Sequence, residues 1–257
     1  MIKRAIRSVL NFLGYDIHRL TITEVPEEEL HNQRAIPDEE FYSKSIFSPW
    51  KGYGDFHAYY PPAEPYTLVS PDRCYILLTL ARQSAALSGS WLECGVYKGG
   101  TAMILSKVIQ AEKLNIVLHL FDTFQGMPET DSHLDLHREG DFKDTNFHEV
   151  KERIRSVALS SSDQIFFHPG FIPHTFEKCG IDKISFAHID VDIYRSVLDC
   201  CEFIYPRLVQ GGFLLFDDYG FSSCPGARKA VDEFFQGKPE LPIVLPTGQA
   251  IIVKYER

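Results

Sequence analysis

The sequence predicts an α/β fold with a Rossmann-like, mostly parallel β-sheet of about seven strands and helices on both faces. From about residue 70 onward, short apolar runs alternate with amphipathic helical patterns. The chain closes with two apolar runs separated by "PTG", which indicates an antiparallel hairpin at one edge of the sheet. With 257 residues, of which 44% are hydrophobic, the chain can bury a sizeable core.

The elements follow one another in a regular order, each identified by its hydrophobic period and its flanking turn residues. Strands are predicted at 91–96, 115–122, 164–168, 184–190, 212–217, 241–245 and 249–255. Helices are predicted at 71–87, 100–112, 147–158, 173–179, 194–208 and 226–236. In this type of fold, ligands bind beyond the carboxyl ends of the strands, near the point where the strand order reverses. Functional residues are therefore expected in the loops that follow the strands.

Residues 1–70 lack this alternation and are expected to form an N-terminal region ahead of a main domain at 71–257. Residues 1–20 predict a basic amphipathic helix, and residues 21–70, rich in Pro, Glu and aromatics, predict a cap of short helices and loops. The helix would lie either on an anionic membrane surface or against the body or a sister subunit of a homo-oligomer. Both alternatives stay open.

The composition excludes several kinds of partner and location. A formal net charge of −9 argues against nucleic acid, because binding to a phosphate backbone needs clustered Lys and Arg. No stretch approaches the roughly 18 apolar residues that a membrane-spanning helix requires. The six cysteines show no CxxC pair, and no signal peptide is recognised, so a cytoplasmic location is expected, at the inner face of the membrane if the N-terminal helix binds lipid.

A glycine-rich turn follows the first strand of the main domain, in "WLECGVYKGGTA". Gly95, Gly99 and Gly100 would let a ligand approach the backbone beside a helix N-terminus. The spacing GxxxGG matches neither the dinucleotide fingerprint GxGxxG nor a P-loop. Glu93 precedes the turn, where an acid would repel a pyrophosphate and attract a ligand's ammonium group. A plain strand-to-helix turn is the alternative.

The loops after the second and third strands complete a predicted nucleoside site. Asp122 lies about 25 residues past the glycine turn, where a carboxylate commonly accepts both ribose hydroxyls, although a capping role would also explain it. Gly170 and Phe171 would flank an adenine, with a tight turn and a core aromatic as the alternative. A nucleoside that carries an amino group rather than a pyrophosphate matches S-adenosylmethionine.

Two acidic pairs end the next strands, in "FAHIDVDIYRSVLDCC" and "GGFLLFDDYG". The pairs are Asp190 with Asp192 and Asp217 with Asp218. Because like charges crowded at strand ends are unfavourable without a cation, these carboxylates are expected to hold one, and Mg²⁺ prefers oxygen ligands. Helix caps lining a wet cleft are the alternative.

The segments "ECGVYKGGTA", "FDTFQGMPE", "HIDVDIYRSV" and "GGFLLFDDY", in this order and spacing, resemble the macrocin O-methyltransferase (TylF-like) family. The resemblance spans about residues 70–237, and the doubled Asp is its most specific element. It implies a class I methyltransferase fold, S-adenosylmethionine as cofactor, Mg²⁺, and a sugar hydroxyl as acceptor. It also implies Asp190, Asp217 and Asp218 as metal ligands, and Asp192, beside the catalytic Asp190, as general base. The residues predicted to bind the cofactor are Glu93, Gly95, Tyr97, Gly99, Thr101, Asp122, Gly170 and Phe171.

The expected acceptor is a small molecule or glycan with two neighbouring hydroxyls, as in a cell-surface glycan or a glycosylated natural product. Chelation by Mg²⁺ would acidify one hydroxyl, and Asp192 would take its proton during in-line methyl transfer. The charged insertion 128–148 is expected to act as a lid, or else to be a disordered excursion. A catechol or other phenol as acceptor, and a non-catalytic nucleoside-binding protein, are the alternative functions. His188 would orient a ligand carboxylate, although a structural role is the commoner one.

Overall fold

The computed structural model describes residues 47–52 and 54–255. The N-terminal helix predicted over residues 1–20 lies outside this part of the chain. The described residues belong to one compact unit, Phe47–Arg257, built around a seven-stranded β-sheet. None of the helices in the described ranges is long and apolar enough to cross a bilayer.

The sheet is mostly parallel, as the sequence predicts. Its strands are β1 (Ser90–Cys94), β2 (Leu118–Asp122), β3 (Ile165–Pro169), β4 (Ile184–Ile189), β5 (Leu208–Phe216), β6 (Ile243–Val244) and β7 (Ala250–Val253). Their order across the sheet is β3-β2-β1-β4-β5-β7-β6, and β7 runs antiparallel to both β5 and β6. The predicted terminal hairpin is therefore confirmed. The strand order reverses between β1 and β4, whose carboxyl ends flank the crevice where such folds bind ligands.

Helices cover both faces of the sheet and bury its apolar side chains. They are α1 (Phe56–Ala63), α2 (Pro71–Ser84), α3 (Gly100–Ala111), α4 (Phe147–Val157), α5 (Tyr194–Ile204) and α6 (Pro225–Phe235). One core cluster joins side chains of α1 to α4 to one face of the sheet, and a second joins α5 and α6 to the other face. Strands buried on both faces explain the continuous apolar runs in the sequence.

The compact unit starts ahead of the predicted domain boundary at residue 70. Phe56, Tyr59 and Ala63 of α1 are buried in the same core cluster as the sheet. Helix α1 packs against α3, which begins at the glycine-rich turn. This part of the predicted cap region thus supports the loop expected to hold the cofactor.

Strand β5 is longer than predicted, because its two glycines form a bulge rather than a turn. Leu208 pairs with Ile184 and Phe213 pairs with Phe186, so the register shifts between the two pairs. Gly211 has φ +78°, a left-handed value that favours glycine. The bulge lets β5 begin at residue 208 and still end at the acidic pair.

Candidate active site

A cavity of about 280 Å³ lies at the carboxyl ends of the parallel strands, where the fold predicts a ligand site. The glycine-rich turn, the end of β2, the loop after β3 and the acidic ends of β4 and β5 all contribute to its lining. The cavity therefore joins most of the predicted cofactor residues with Asp190, Asp192 and Asp218 in one space, while Asp217 lies outside its lining.

The glycine-rich turn passes close to the loop after β4, and this contact requires glycine. Gly95 has φ +90°, and a Cβ atom there would lie 1.7 Å from the backbone oxygen of Asp190. Gly99 has φ +88° and packs against Val150 of α4, so it supports the turn from behind. Tyr97 and Thr101 line the cavity together with Gly95.

Asp122 holds the glycine-rich turn in place. Its Oδ2 accepts hydrogen bonds from the backbone N–H of Val96 (2.7 Å) and of Tyr97 (2.8 Å), and its Oδ1 accepts one from Phe124 N (2.6 Å). Burial raises the pKa of Asp122, and these backbone donors oppose the rise. The carboxylate also lines the cavity. Its backbone-capping role is thus visible in the structure, and the contact with ribose stays a prediction.

The loop after β3 forms the opposite wall of the cavity. Gly170 has φ +137°, and its N–H donates to the backbone oxygen of Asp122 at 2.9 Å. Phe171 lines the cavity and is 44% exposed. A flat aromatic face beside a glycine is suitable for stacking on a base. The structure therefore brings both residues into the cavity lining, and their contact with an adenine stays a prediction.

Glu93 lies elsewhere than expected. Its side chain is fully buried, and its Oε1 accepts from His188 Nδ1 at 2.9 Å. Strand alternation explains this, because Glu93, His188 and Asp217 project from β1, β4 and the end of β5 toward the face covered by α2. Glu93 is not among the described residues that line the cavity, and its observed partner is His188, so its contact with the cofactor's ammonium group stays a prediction.

Three potential ligand groups meet beneath the cavity. His188, Asp190 and Asp217 each offer an atom within 4.8 Å of the other two. His188 Nε2 lies 3.6 Å from Asp217 Oδ1, too far for a hydrogen bond, and has no hydrogen-bond partner among the described residues. Asp218 lies beside this group and accepts from the backbone N–H of Asp192 at 2.9 Å.

The pKa shifts of these acids indicate which kind of ligand suits the cluster. Burial and the neighbouring carboxylates raise the pKa of both Asp190 and Asp218 well above the ordinary range. Burial also acts to raise the pKa of Asp217, but the adjacent His188 and Arg73 outweigh it and lower the pKa. Closely spaced carboxylate oxygens in a buried site suit a hard divalent cation such as Mg²⁺, so the donor set fits the predicted metal.

Arg73 is a member of the site that the sequence did not indicate. Its guanidinium donates to Asp217, and Nη2 donates to the backbone oxygen of Leu68 at 3.0 Å. Gln249 Nε2 donates to the other carboxylate oxygen of Asp217 at 2.7 Å. Arg73 and Asp217 lie 144 positions apart in the sequence, so no local sequence pattern predicts their ion pair. Two side chains thus fix the orientation of this carboxylate.

Asp192 is partly accessible from the cavity. Its side chain is 18% exposed and lines the cavity. Its φ of +57° is uncommon for a residue other than glycine, and such strain is typical of functional sites. An accessible carboxylate at the cavity wall is well placed to accept a proton from a bound hydroxyl.

The insertion 128–148 is anchored over the site. Asp135 is buried, and its Oδ1 accepts from Tyr194 N at 2.8 Å, capping the N-terminus of α5. The same oxygen approaches α6 so closely that a Cβ atom at Gly226 would lie 2.0 Å from it. This anchoring carries His137 into the cavity wall, a residue that the sequence did not single out.

Comparison with known proteins agrees with this geometry. The family model for macrocin O-methyltransferase (TylF) matches residues 57–242, from α1 to the residue before β6. The chain belongs to this family. The matched span includes the glycine-rich turn, the insertion and all four acids of the site, and the family predicted from the sequence is therefore confirmed.

Individual relatives are more distant. The chain is 29% identical over 154 residues to demethyldecarbamoylnovobiocin O-methyltransferase of Streptomyces niveus. It is 30% identical over 154 residues to 8-demethyl-8-(2,3-dimethoxy-alpha-L-rhamnosyl)-tetracenomycin-C 4′-O-methyltransferase of Streptomyces olivaceus. Each match covers 57% of this chain and 58% of the relative, so the chain spans less than two thirds of either curated relative.

A solved structure supports the fold. The O-methyltransferase NovP superposes with a TM-score of 0.67 at 23% identity, covering 74% of this chain and 83% of that one. The chain thus has the class I methyltransferase sheet that the sequence predicts. At this identity the superposition shows the fold alone.

Proposed function

We propose that this protein transfers a methyl group from S-adenosylmethionine to a sugar hydroxyl, with Mg²⁺ bound at the acid cluster. The observation that carries the proposal is the cavity in which the glycine-rich turn faces Asp190, Asp192 and Asp218, with Asp217 buried directly behind Asp190. Membership of the macrocin O-methyltransferase family and the names of the curated relatives, one of which refers to a rhamnosyl group, support a sugar acceptor.

The cofactor would occupy the half of the cavity between the glycine-rich turn and the loop after β3. Gly95 lets the turn pass close to the loop after β4, and Asp122 holds the turn in place ahead of α3. Gly170 and Phe171 form the opposite wall, where the base would stack. S-adenosylmethionine would then direct its methyl group toward the acids at the ends of β4 and β5.

Asp190, Asp217 and Asp218 would hold the metal ion. When bound, Mg²⁺ supplies open coordination positions for neighbouring hydroxyls and makes a coordinated hydroxyl more acidic. Arg73 and Gln249 hold Asp217 in place. The Gln249 contact would keep the carboxylate oriented when the ion binds, whereas Mg²⁺ would replace Arg73 as the positive partner of Asp217.

Asp192 would accept the proton of the acceptor hydroxyl at a carboxylate oxygen. Its side chain is partly accessible, and its backbone N–H donates to Asp218, which keeps it next to the proposed metal ligands. General-base assistance of this type contributes typically 10²- to 10⁴-fold to the rate. Glu93 would act one layer below, through His188, to position Asp217.

The cavity mouth indicates the kind of acceptor. Leu68, Phe171 and Phe221 line the cavity and are 66%, 44% and 36% exposed. Exposed apolar side chains at a mouth suit an acceptor whose sugar is joined to an apolar group. A lipid-linked glycan of the cell surface and a glycosylated natural product both have this character. Contact of residues 1–20 with the cytoplasmic face of the membrane would favour the former.

The test is a calorimetric titration with S-adenosylhomocysteine and then with Mg²⁺, for the unaltered protein and for Asp217→Asn. Both proteins should bind the nucleoside, and only the unaltered one should bind Mg²⁺ tightly. Asp199→Asn is the matched control, because Asp199 is also buried and paired with an arginine, Arg195, but does not belong to the group of His188, Asp190 and Asp217.

Absence of nucleoside binding in all three proteins would contradict the methyltransferase proposal. Equal Mg²⁺ binding by Asp217→Asn and the unaltered protein would contradict the metal site. With binding established, a panel of glycosides and catechols with vicinal hydroxyls distinguishes the sugar acceptor from the phenol alternative, since methylation of catechols alone would contradict the sugar assignment.

A further inference from the structure

A second group of potential metal ligands lies beside the acid cluster. His137 Nε2 is 3.7 Å from Asp192 Oδ1 and 3.7 Å from Cys224 Sγ, and Cys224 Sγ is 3.4 Å from Asp192 Oδ1. All three residues line the cavity. They come from three segments: the anchored insertion, the loop after β4 and the residue that precedes α6.

The three separations match the edges of a tetrahedral coordination shell. Ligand atoms that lie about 2.0–2.3 Å from a tetrahedral Zn²⁺ are roughly 3.3–3.6 Å from one another. The observed edges of 3.4, 3.7 and 3.7 Å need only small adjustments to meet this geometry. Because the three residues line the cavity, the fourth position would be open to it.

The orientation of His137 supports the same conclusion. Its Nδ1 lies 3.3 Å from Asp141 Oδ2, and Asp141 also accepts from Arg138 N at 2.9 Å. An ionised carboxylate only accepts hydrogen bonds, so Nδ1 carries the proton and Nε2 turns its lone pair toward Asp192 and Cys224. Carboxylates that hold the second nitrogen of a histidine in this way are typical of metal-ligating histidines.

From this geometry we propose that His137, Asp192 and Cys224 form a second cation site, which selects a thiophilic divalent metal such as Zn²⁺. A nitrogen, a thiolate and one carboxylate suit Zn²⁺, whereas Mg²⁺ requires oxygen ligands, so the two neighbouring sites differ in the metal that they accept. Binding converts the thiol to a thiolate and releases its proton to solvent.

Occupation of this site has a consequence for the proposed reaction. Asp192 cannot hold Zn²⁺ and accept a proton from the acceptor with the same oxygen. The site would therefore inhibit methyl transfer when a thiophilic metal is present, even in excess Mg²⁺. The existence of the site does not depend on the proposed function, since metal binding is measured directly.

The experiment is a titration of the full-length protein with Co²⁺, a spectroscopic substitute for Zn²⁺, in excess Mg²⁺. We expect a thiolate-to-cobalt charge-transfer band that saturates at one equivalent and disappears when Zn²⁺ is added. Cys224→Ser should lose the band. Cys179→Ser should retain it, because Cys179 is also a free thiol but lies outside the cavity lining.

A second variant tests the orientation of His137 without removing a ligand. Asp141→Asn should weaken Zn²⁺ binding by about 10- to 100-fold, the usual effect of losing such a hydrogen-bonding partner. Thermal unfolding and S-adenosylhomocysteine binding check that each variant is folded. The proposal is overturned if the unaltered protein shows no thiolate band, if Cys224→Ser shows the same band, or if Asp141→Asn binds Zn²⁺ as tightly as the unaltered protein.

Discussion

Replacing Arg73 by glutamine should destabilise the metal-free protein far more than the Mg²⁺-loaded protein. Arg73 is 13% exposed, and its partner Asp217 is fully buried. Removing one member of a buried ion pair costs about 3–5 kcal/mol, because the other charge stays buried without compensation. Gln249 would still donate to Asp217, so we expect the lower limit, about 3 kcal/mol.

Mg²⁺ should compensate for much of this loss, because it would neutralise the same carboxylate. A ligand at 100 times its dissociation constant stabilises the folded state by about 2.7 kcal/mol. The Arg73→Gln variant should also bind Mg²⁺ more tightly than the unaltered protein does, because a competing positive charge has been removed. Most of the lost stability should therefore return on addition of Mg²⁺.

Thermal unfolding in EDTA and in Mg²⁺ measures both effects. For a protein of this size, about 3 kcal/mol corresponds to a decrease in Tm of roughly 6–12 °C. Arg195→Gln is the control, because its guanidinium pairs with the buried Asp199 but is 63% exposed. Exposed pairs contribute about 0–1 kcal/mol, so this variant should lose little stability and show no additional response to Mg²⁺. Equal losses in the two variants, or equal responses to Mg²⁺, would refute the reasoning.

Three further predictions follow from the site and its surroundings. Asp192→Asn should reduce methyl transfer by about 10²- to 10⁴-fold and leave the nucleoside and Mg²⁺ affinities unchanged. The control variant Asp199→Asn should keep full activity. A smaller loss of activity in Asp192→Asn would exclude Asp192 as the general base. Gly95→Ala should abolish S-adenosylhomocysteine binding, because the added Cβ would lie 1.7 Å from the backbone oxygen of Asp190. The left-handed backbone costs alanine a further ~1–2 kcal/mol. An unchanged affinity in calorimetry would contradict this close approach. Burial and the neighbouring His168 lower the pKa of His119 to about 4, against about 6.5 in the unfolded chain. The contribution of His119 to folding stability is therefore fully present above about pH 6.5 and falls as the pH drops toward 4. In urea unfolding, the free energy of unfolding of His119→Gln should change less between pH 6.5 and pH 4 than that of the unaltered protein. An equal change in both proteins would assign the loss of stability to other groups.

Much of the fold could be predicted from the sequence, because periodicity and turn residues act locally. The main deviations lie where tertiary contacts override a local signal. Gly211 and Gly212 suggest the start of a strand, yet the pairing of Leu208 with Ile184 extends β5 through them as a bulge. The predicted helix over 194–208 ends at residue 204, where a 3₁₀ turn containing Pro206 begins.

The candidate site could be predicted only in part. The acids and glycines lie at strand ends, and the parallel sheet alone brings strand ends together. The placement of Glu93 depends on strand alternation, which turns it toward His188 rather than toward the loop. Arg73 and His137 reach the cavity from a helix and an anchored insertion distant in sequence, so only the tertiary structure reveals their contacts.

The most direct test of the central claim is a crystal structure of the protein with S-adenosylhomocysteine and Mn²⁺, which replaces Mg²⁺ and is located by its anomalous scattering. We predict a single strong peak within ligand distance of Asp190, Asp217 and Asp218, with Arg73 moved away from Asp217 and the nucleoside between the glycine-rich turn and Phe171. No peak among these carboxylates at saturating Mn²⁺, with the Arg73–Asp217 pair still formed, would contradict the metal-dependent mechanism.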